Sequence, residues 1–208
     1  EAGAVASEPC QNIGCGLRGQ VRADRLLEVF VRDDRVLNLL LGVGFMMGNF
    51  AFNFGISNPI MSSMVFGKGP TEFGALGSLM GIGALGAALL SAARSRARLR
   101  FILGAMAGYV VFQGASGLVG EFWQFAALQV PLGLCAITTV VTANTLLQTS
   151  VAGAVRGRVM ALWMVFLLGA TPVVGPLVGW IGTTFGPRWT VQVGTIAIFA
   201  TFVVVTWY

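Results

Sequence analysis

Two stripes of amide and hydroxyl side chains are the groups in the long apolar runs of this chain that could do chemistry. In the first run, Asn49, Asn53 and Ser57 recur every four residues and therefore share one face of a helix. In the fourth run, the corresponding polar residues are Gln129, Thr138, Thr142, Asn144 and Thr145. Such groups are costly against lipid, so they face other helices or a water-accessible cavity. Two interpretations stay open: hydrogen bonding between helices, or the lining of a solute path.

Ionisable side chains are missing from all six apolar runs, and the chain has no histidine. Proton relays, metal sites and catalytic dyads in membranes depend on such groups. Cys10 and Cys15 have no second pair and no histidine to complete a zinc site, and Cys135 is expected to be a small packing residue. Glu72 and Glu121 precede helices, where a carboxylate favours the positive end of the helix dipole. We therefore predict no catalysis, no metal and no cofactor in this segment.

The composition sets the fold class. Of 208 residues, 56% are hydrophobic and 10% are charged, whereas a soluble domain carries about 25% charged residues. The charged residues divide the chain into six uncharged runs, each at least as long as the roughly 20 residues that a membrane-spanning helix needs. The approximate predicted spans are 36–60, 73–93, 100–120, 122–148, 159–183 and 189–208. The sequence predicts an all-α integral membrane unit over residues 36–208.

The leading segment, residues 1–35, is polar and rich in arginine. We predict that it is a cytoplasmic linker, within which residues 21–31 form either a short amphipathic helix on the membrane surface or a flexible connection with no binding role. The net charge of +5 does not indicate nucleic-acid binding, because the arginines cluster between apolar runs and do not form one face. A start at Glu1 instead of methionine indicates part of a longer protein.

The distribution of basic residues predicts the orientation. Eleven of the thirteen lysines and arginines fall in the leading segment or in alternate connections, and the exceptions are Lys68 and Arg188. The arginines of those connections are Arg94, Arg96, Arg98, Arg100, Arg156 and Arg158. Cytoplasmic loops carry such an excess of positive charge. Both ends of the six-helix unit are therefore predicted to be cytoplasmic, in the plasma or inner membrane.

Glycine and proline recur inside the apolar runs, where small residues let two helix backbones approach closely. Glycine pairs at a spacing of four are Gly44 and Gly48, Gly77 and Gly81, Gly104 and Gly108, and Gly175 and Gly179. Pro59 is expected to kink the first helix near its outer end, and Pro172 and Pro176 lie within the fifth run. These positions are interpreted as packing contacts, with hinges in a conformational cycle as the alternative.

The stretches 49–100 and 156–189 resemble the major facilitator superfamily of secondary transporters, and the resemblance covers nearly all of residues 21–208. The nearest group is the bacterial drug and siderophore exporters, including those of macrolide and enterobactin type. Gly175, Pro176 and Gly179 resemble an antiporter element in which Trp180 replaces the last glycine. The basic connection after the second span resembles the family's loop motif but lacks its acidic residue.

This resemblance implies helices seven to twelve of a twelve-helix fold, with the N-terminal six-helix half of the same protein as partner. The first and fourth spans would line the central cavity, through Asn49, Asn53, Thr138, Thr142 and Asn144. Small lipophilic or amphipathic compounds would be exported by proton-coupled alternating access, with the coupling acids in the other half. The alternatives are a facilitator-type metabolite importer and a self-contained six-helix scaffold or subunit without transport.

Overall fold

The computed structural model describes residues 35–94, 97–151 and 153–207. Within these ranges the chain consists of helices and short connections, and no β-strand is present. The predicted linker with its amphipathic helix falls on residues 1–34, which lie outside the described ranges, as do Cys10, Cys15 and Arg96. The described residues thus cover nearly all of the apolar part of the chain.

Eight α-helices, two of them followed by π-helical segments, build this part of the chain. In chain order they are α1 (Arg35–Met46), the π-helical segment Met47–Ala51, α2 (Phe54–Ile60), the π-helical segment Met61–Val65, α3 (Pro70–Ala93), α4 (Leu99–Ser116), α5 (Phe122–Ser150), α6 (Gly153–Leu168), α7 (Thr171–Phe185) and α8 (Pro187–Trp207). The first span combines α1 and α2, and the fifth combines α6 and α7.

Six helical stretches are long and apolar enough to cross a membrane. They are Val36–Val65, Pro70–Ala93, Leu99–Ser116, Phe122–Ser150, Val155–Phe185 and Pro187–Trp207. The predicted all-helical class with six apolar spans is therefore confirmed over the described residues. These are the features of a multi-pass membrane protein.

Local chemistry explains where individual spans begin and end. α3 begins at Pro70, three residues before the predicted start, because proline is well suited to a first helical position that needs no N–H. The Gly69 N–H there donates to the Glu72 carboxylate at 3.1 Å. The first span passes Pro59 and continues to Val65, beyond the predicted end at residue 60, because a π-helical segment follows α2.

The packing is organised around α5, which lies against both α3 and α4. A Cβ added at Gly83 of α3 would overlap the Val130 carbonyl of α5. A Cβ added at Gly133 of α5 would likewise overlap the Met80 carbonyl of α3. The two backbones therefore touch directly, and each helix supplies the glycine that makes room for the other.

The glycines singled out in the sequence fall into two groups. Gly44 lies against the Trp163 ring and Gly48 against the Leu167 backbone, so both are closed contacts between the first and fifth spans. Gly108 would place a Cβ 2.8 Å from the Cys135 sulfur, and Gly175 would place one 3.1 Å from Ile56 Cδ1. By contrast, an added Cβ would meet no described atom within 4 Å at Gly77, Gly81, Gly104 or Gly179.

Helix geometry explains why Gly77 and Gly81 of α3 meet no described neighbouring atom, whereas Gly83 of the same helix contacts α5. Its buried stripe runs through Leu76, Gly83 and Ala87, and this stripe faces α5. Gly77 and Gly81 lie on the opposite, exposed side of the helix. Any close helix contact at these two glycines must come from outside the described residues.

This arrangement predicts opposite effects of the same substitution two residues apart. Gly83→Ala should lower the free energy of unfolding by about 1–3 kcal/mol, because the new methyl group overlaps the α5 backbone. Gly81→Ala should leave it unchanged or raise it by up to about 1 kcal/mol, since alanine favours helix and the site is open. Unfolding of both variants in mixed micelles measures the difference, and equal effects would contradict this packing of α3 on α5.

Candidate functional site: the polar interior of the first and fifth spans and the threonine row of α5

The first span is interrupted in its middle. Between α1 and α2 the helix widens over Met47–Ala51, and the Phe52 N–H donates to the Met47 carbonyl at 3.0 Å, five residues back. Such a wide turn leaves backbone groups without their usual helical partners. Within a bilayer those groups must be satisfied by the protein itself. The neighbouring side chains of the amide stripe supply the donors.

Asn49 joins this interruption to a second one in the fifth span. It is fully buried, and its side-chain amide donates to the Phe45 carbonyl at 2.9 Å and to the Phe166 carbonyl at 2.7 Å. Phe166 lies in the last turn of α6, where carbonyls lack an intrahelical N–H. One amide group therefore bonds to the backbone of both interrupted spans, and its own Oδ1 stays buried without a partner.

Two further side chains complete the interruption of the first span. Asn53 is buried, and its amide donates to the Asn49 carbonyl. The hydroxyl of Tyr109, which reaches over from α4, donates to the Ala51 carbonyl at 3.1 Å. Sequence reasoning missed Tyr109, although a phenol in the middle of an apolar run needs a hydrogen-bond partner when it is buried.

Nearer the other end of the first span, the polar stripe contacts α5 and α8. Ser57 is buried and donates to the Thr190 carbonyl at 3.4 Å. The Asn58 amide lies 3.5 Å from the Gln129 side-chain oxygen, with both residues buried. Ser57 and Gln129, both predicted as cavity residues, thus form interhelical hydrogen bonds here.

The threonines of α5 behave differently, because they line cavities. Thr138 borders a cavity of about 250 Å³, and its buried hydroxyl has no hydrogen-bond partner. Thr142 and Thr145 border a second cavity of about 110 Å³. Asn144 is half-buried and accepts a hydrogen bond from Gln148 at 2.6 Å along the same helix.

The predicted basic residues gather at the same end of the bundle as these two cavities. Arg94 borders both cavities, and its guanidinium lies 4.3 Å from the centroid of the Phe101 ring. Arg100 lies 5.5 Å from the same centroid. Arg98 and Arg156 are exposed, and Arg158 is half-buried.

The two predicted stripes therefore do not meet in the cavities that the threonines line. Neither of those cavities includes a residue of the first span. A direct link between the stripes is the Asn58–Gln129 pair. The Asn49 and Asn58 amides of the first span thus bond to other helices, whereas Thr138, Thr142 and Thr145 of α5 border cavities. The lining of a solute path by either stripe stays a prediction.

The fifth span carries the predicted prolines at its own interruption. α6 ends at Leu168 and α7 begins at Thr171, so Pro172 occupies the first turn of α7 and has no N–H to leave unpaired. The Gly169 N–H donates to the Val165 carbonyl at 2.7 Å. Pro172 and Pro176 are exposed, whereas Gly175 is buried against the first span.

Metal-binding groups are sparse in this interior. In the ranges 35–94, 97–151 and 153–207, no three His, Cys, Asp or Glu residues come together in a way that could hold a metal ion. The buried polar residues of these ranges are Asn, Gln, Ser and Thr, whose amides and hydroxyls bind by hydrogen bonding.

Comparisons of this chain with protein-family models, with curated proteins and with solved structures found no match. The helical fold and the hydrogen bonds of its polar interior define the class of this protein. Over residues 35–94, 97–151 and 153–207 the chain is helical, with six apolar helical stretches of membrane-spanning length. Its first and fifth spans are interrupted where they contact each other, and one buried asparagine bonds to both.

The role of Asn49 predicts a loss of stability when its amide is removed. Asn49→Leu should lower the free energy of unfolding by about 1–3 kcal/mol, because the Phe45 and Phe166 carbonyls both lose the donor that the fully buried Asn49 amide supplies. Asn144→Leu makes the same chemical change at a half-buried site with a partner on its own helix, so its effect should stay below about 0.5 kcal/mol. Denaturant titration in mixed micelles compares the two variants, and similar losses would argue against a special role for Asn49.

Proposed function

We propose that this chain is the C-terminal six-helix half of a secondary active transporter that exports small lipophilic or amphipathic compounds. In this proposal, proton-coupled alternating access moves the solute between two six-helix halves. The partner is the N-terminal half of the same protein, in the plasma or inner membrane, with both ends of the present unit in the cytoplasm. The first and fourth spans contribute one wall of the solute path.

The observation that carries the proposal is the uneven burial of the spans. In the most apolar 18-residue stretch of each, 50% of residues are buried in the first span and 56% in α5, against 17% in α3 and 22% in the fifth span. The second and fifth spans are thus the most open, and the sixth span and α4, at 28% and 33%, are also mostly unburied. Lipid or a second helical unit must cover them.

The residue types on the open faces favour a second helical unit. Gly74, Gly77 and Gly81 follow one another on the exposed side of α3. Small residues in membrane helices are enriched where another helix approaches closely. Pro172 and Pro176 are likewise exposed on the fifth span. A lipid-facing surface gains nothing from glycine at successive turns, whereas a helix of a partner half gains close backbone contact.

The interruptions of the first and fifth spans support a transport cycle. Discontinuous helices are a recurring feature of secondary transporters, in which they border the solute site. Here the two interrupted spans contact each other through Asn49 and Phe166. A rocking motion of the halves would place this junction beside the solute path.

The charged side chains of the described spans lie within four residues of the span ends, at Glu72, Arg100, Arg156, Arg158 and Arg188. The uncharged middle of each span agrees with a lipophilic substrate. Uncharged amides and hydroxyls can orient an amphipathic solute by hydrogen bonds, while the apolar walls accommodate its remaining surface. Proton coupling needs a titratable group in the membrane interior. In this proposal that group belongs to the partner half.

Drug accumulation in cells that carry the full-length parent gene tests the proposal. We expect lower accumulation of lipophilic dyes than in cells without the gene, and we expect a proton uncoupler to abolish the difference. Uncoupler-insensitive uptake of a metabolite would instead indicate a facilitator-type importer. No effect on any dye, antibiotic or metabolite would favour a self-contained six-helix protein.

A matched pair of variants tests whether the open face of α3 meets a partner half. Gly81→Leu should reduce dye export at least about tenfold, because the larger side chain separates the two halves. Gly42→Leu is the control, since Gly42 borders an apolar groove of about 670 Å³ between the first and sixth spans that has room for the side chain. Membrane abundance of both variants is measured in parallel. Equal export by both variants would contradict the proposed contact.

A further inference from the structure

The two cavities at the arginine-rich end of the bundle bring together three buried polar atoms without partners. They are the Ser91 hydroxyl oxygen, Nη1 of Arg94 and the Thr138 hydroxyl oxygen. Ser91 and Arg94 border the smaller cavity, and Arg94 and Thr138 border the larger. Buried polar groups are normally hydrogen-bonded, so three unpaired ones around two adjoining cavities indicate a missing ligand.

The unpaired hydroxyls of Ser91 and Thr138 are unusual, because each lies on a helix whose own backbone carbonyls could accept its proton. Serine and threonine in a helix commonly donate to the carbonyl four residues back. Thr139 and Thr145 do so in the same helix, at 2.9 Å and 2.8 Å. Thr138 makes no such bond, although it is at least nine-tenths buried and borders the larger cavity. Its hydroxyl is therefore free to bind whatever enters that cavity.

The polar groups that border the larger cavity are hydrogen-bond donors, and two of them are cations. Arg94 and Arg100 border it, and both guanidinium groups lie near the Phe101 ring. The first turn of α4 also borders it, and this helix has neither a side-chain cap nor an acidic residue in that turn. The unpaired N–H groups and the dipole of a helix N-terminus attract anions. The site is built for a negatively charged group.

No carboxylate of the described residues can occupy this site. The two acidic residues in those ranges are Glu72, in the first turn of α3, and Glu121, just before α5. Arg94 follows the last turn of α3, so about 33 Å of helix separates it from Glu72. Glu121 lies at the opposite end of α5 from Thr142 and Thr145, which border the smaller cavity. The positive charge of Arg94 is thus uncompensated within the described ranges.

We propose that this pocket binds a phosphate group, and specifically the headgroup phosphate of an anionic phospholipid. It lies where α3 ends and α4 begins, at the end predicted to be cytoplasmic, and at that end of the spans we expect lipid headgroups. Basic pockets between membrane helices on that side bind anionic headgroups. The apolar lining around Leu134 suits the glycerol and upper acyl chain of a lipid more than it suits a free ion. The inference does not depend on transport.

Native mass spectrometry of the full chain in mild detergent tests the proposal. We expect the protein to retain one phosphatidylglycerol with about tenfold preference over phosphatidylcholine, and Arg94→Gln to reduce that retention about tenfold. Arg156→Gln removes an exposed arginine from the same end of the bundle and should change it no more than about twofold. Equal losses of retained phosphatidylglycerol in the two variants would contradict a specific binding pocket, because they would indicate a general attraction of lipid to basic residues.

Thr138→Val keeps the proposal testable if Arg94→Gln fails to fold. Valine has the same shape, and the hydroxyl it replaces has no partner in the chain, so the free energy of unfolding should stay the same or rise. Retention of phosphatidylglycerol should nevertheless fall several-fold. Unchanged retention together with unchanged stability would contradict a role of the Thr138 hydroxyl in binding.

Inorganic phosphate, added as a competitor, identifies the source of the anion. If excess phosphate leaves the retained phosphatidylglycerol in place, the lipid is the ligand. If phosphate binds saturably, depends on Arg94 and displaces the lipid, the oxyanion site stands and its ligand is soluble. If neither phosphatidylglycerol nor phosphate binds in an Arg94-dependent way, the proposal is wrong.

Discussion

The structure depends on the rule that a backbone inside a bilayer must satisfy its own hydrogen bonds. Two of the six spans found in the described residues are interrupted, and the Asn49 amide bonds to the backbone of both, since it donates to the Phe45 carbonyl within the first span and to the Phe166 carbonyl in the fifth. The Asn53 amide and the Tyr109 hydroxyl satisfy two further carbonyls of the same interruption. The polar residues of the first span are thus primarily what allows that span to be irregular.

The second constraint is the close approach of helix backbones. Without a hydrophobic effect between helices in lipid, association depends on packing and on interhelical hydrogen bonds. Gly83 and Gly133 let α3 and α5 touch, and Gly48 lets the first span touch the backbone of Leu167, one residue after the carbonyl that Asn49 binds. Packing and hydrogen bonding therefore fix the junction of the two interrupted spans together. Gly77 and Gly81 of α3 are exposed and meet no described atom, so in the proposed transporter they are the positions where a partner helix could approach as closely.

The sequence predicted six apolar helices because charged residues separate the apolar runs, and this pattern can be recognised without knowing how the helices pack. It also singled out Asn49, Asn53, Ser57 and Thr138 as polar groups that cannot face lipid. It could not say which of them bind backbone and which border a cavity, because that depends on the π-helical turn after Met46 and on helix rotation. Glycine spacing pointed to Gly77 and Gly81 as readily as to Gly83, since periodicity does not reveal which side of a helix is covered. The unpaired groups of Ser91 and Arg94 became visible only with coordinates.

The junction at Asn49 can be tested without relying on stability. The pair Phe-Leu occurs once in the sequence, at Phe166 and Leu167, so a sample with ¹³C-carbonyl phenylalanine and ¹⁵N leucine gives one backbone correlation by solid-state NMR in lipid. We predict that Asn49→Leu moves the Phe166 carbonyl resonance upfield, as expected for a lost hydrogen bond, and that Asn144→Leu leaves it in place. An unchanged Phe166 resonance in a folded Asn49→Leu protein would contradict the central role of Asn49, because the two interrupted spans would then be joined by something other than this amide.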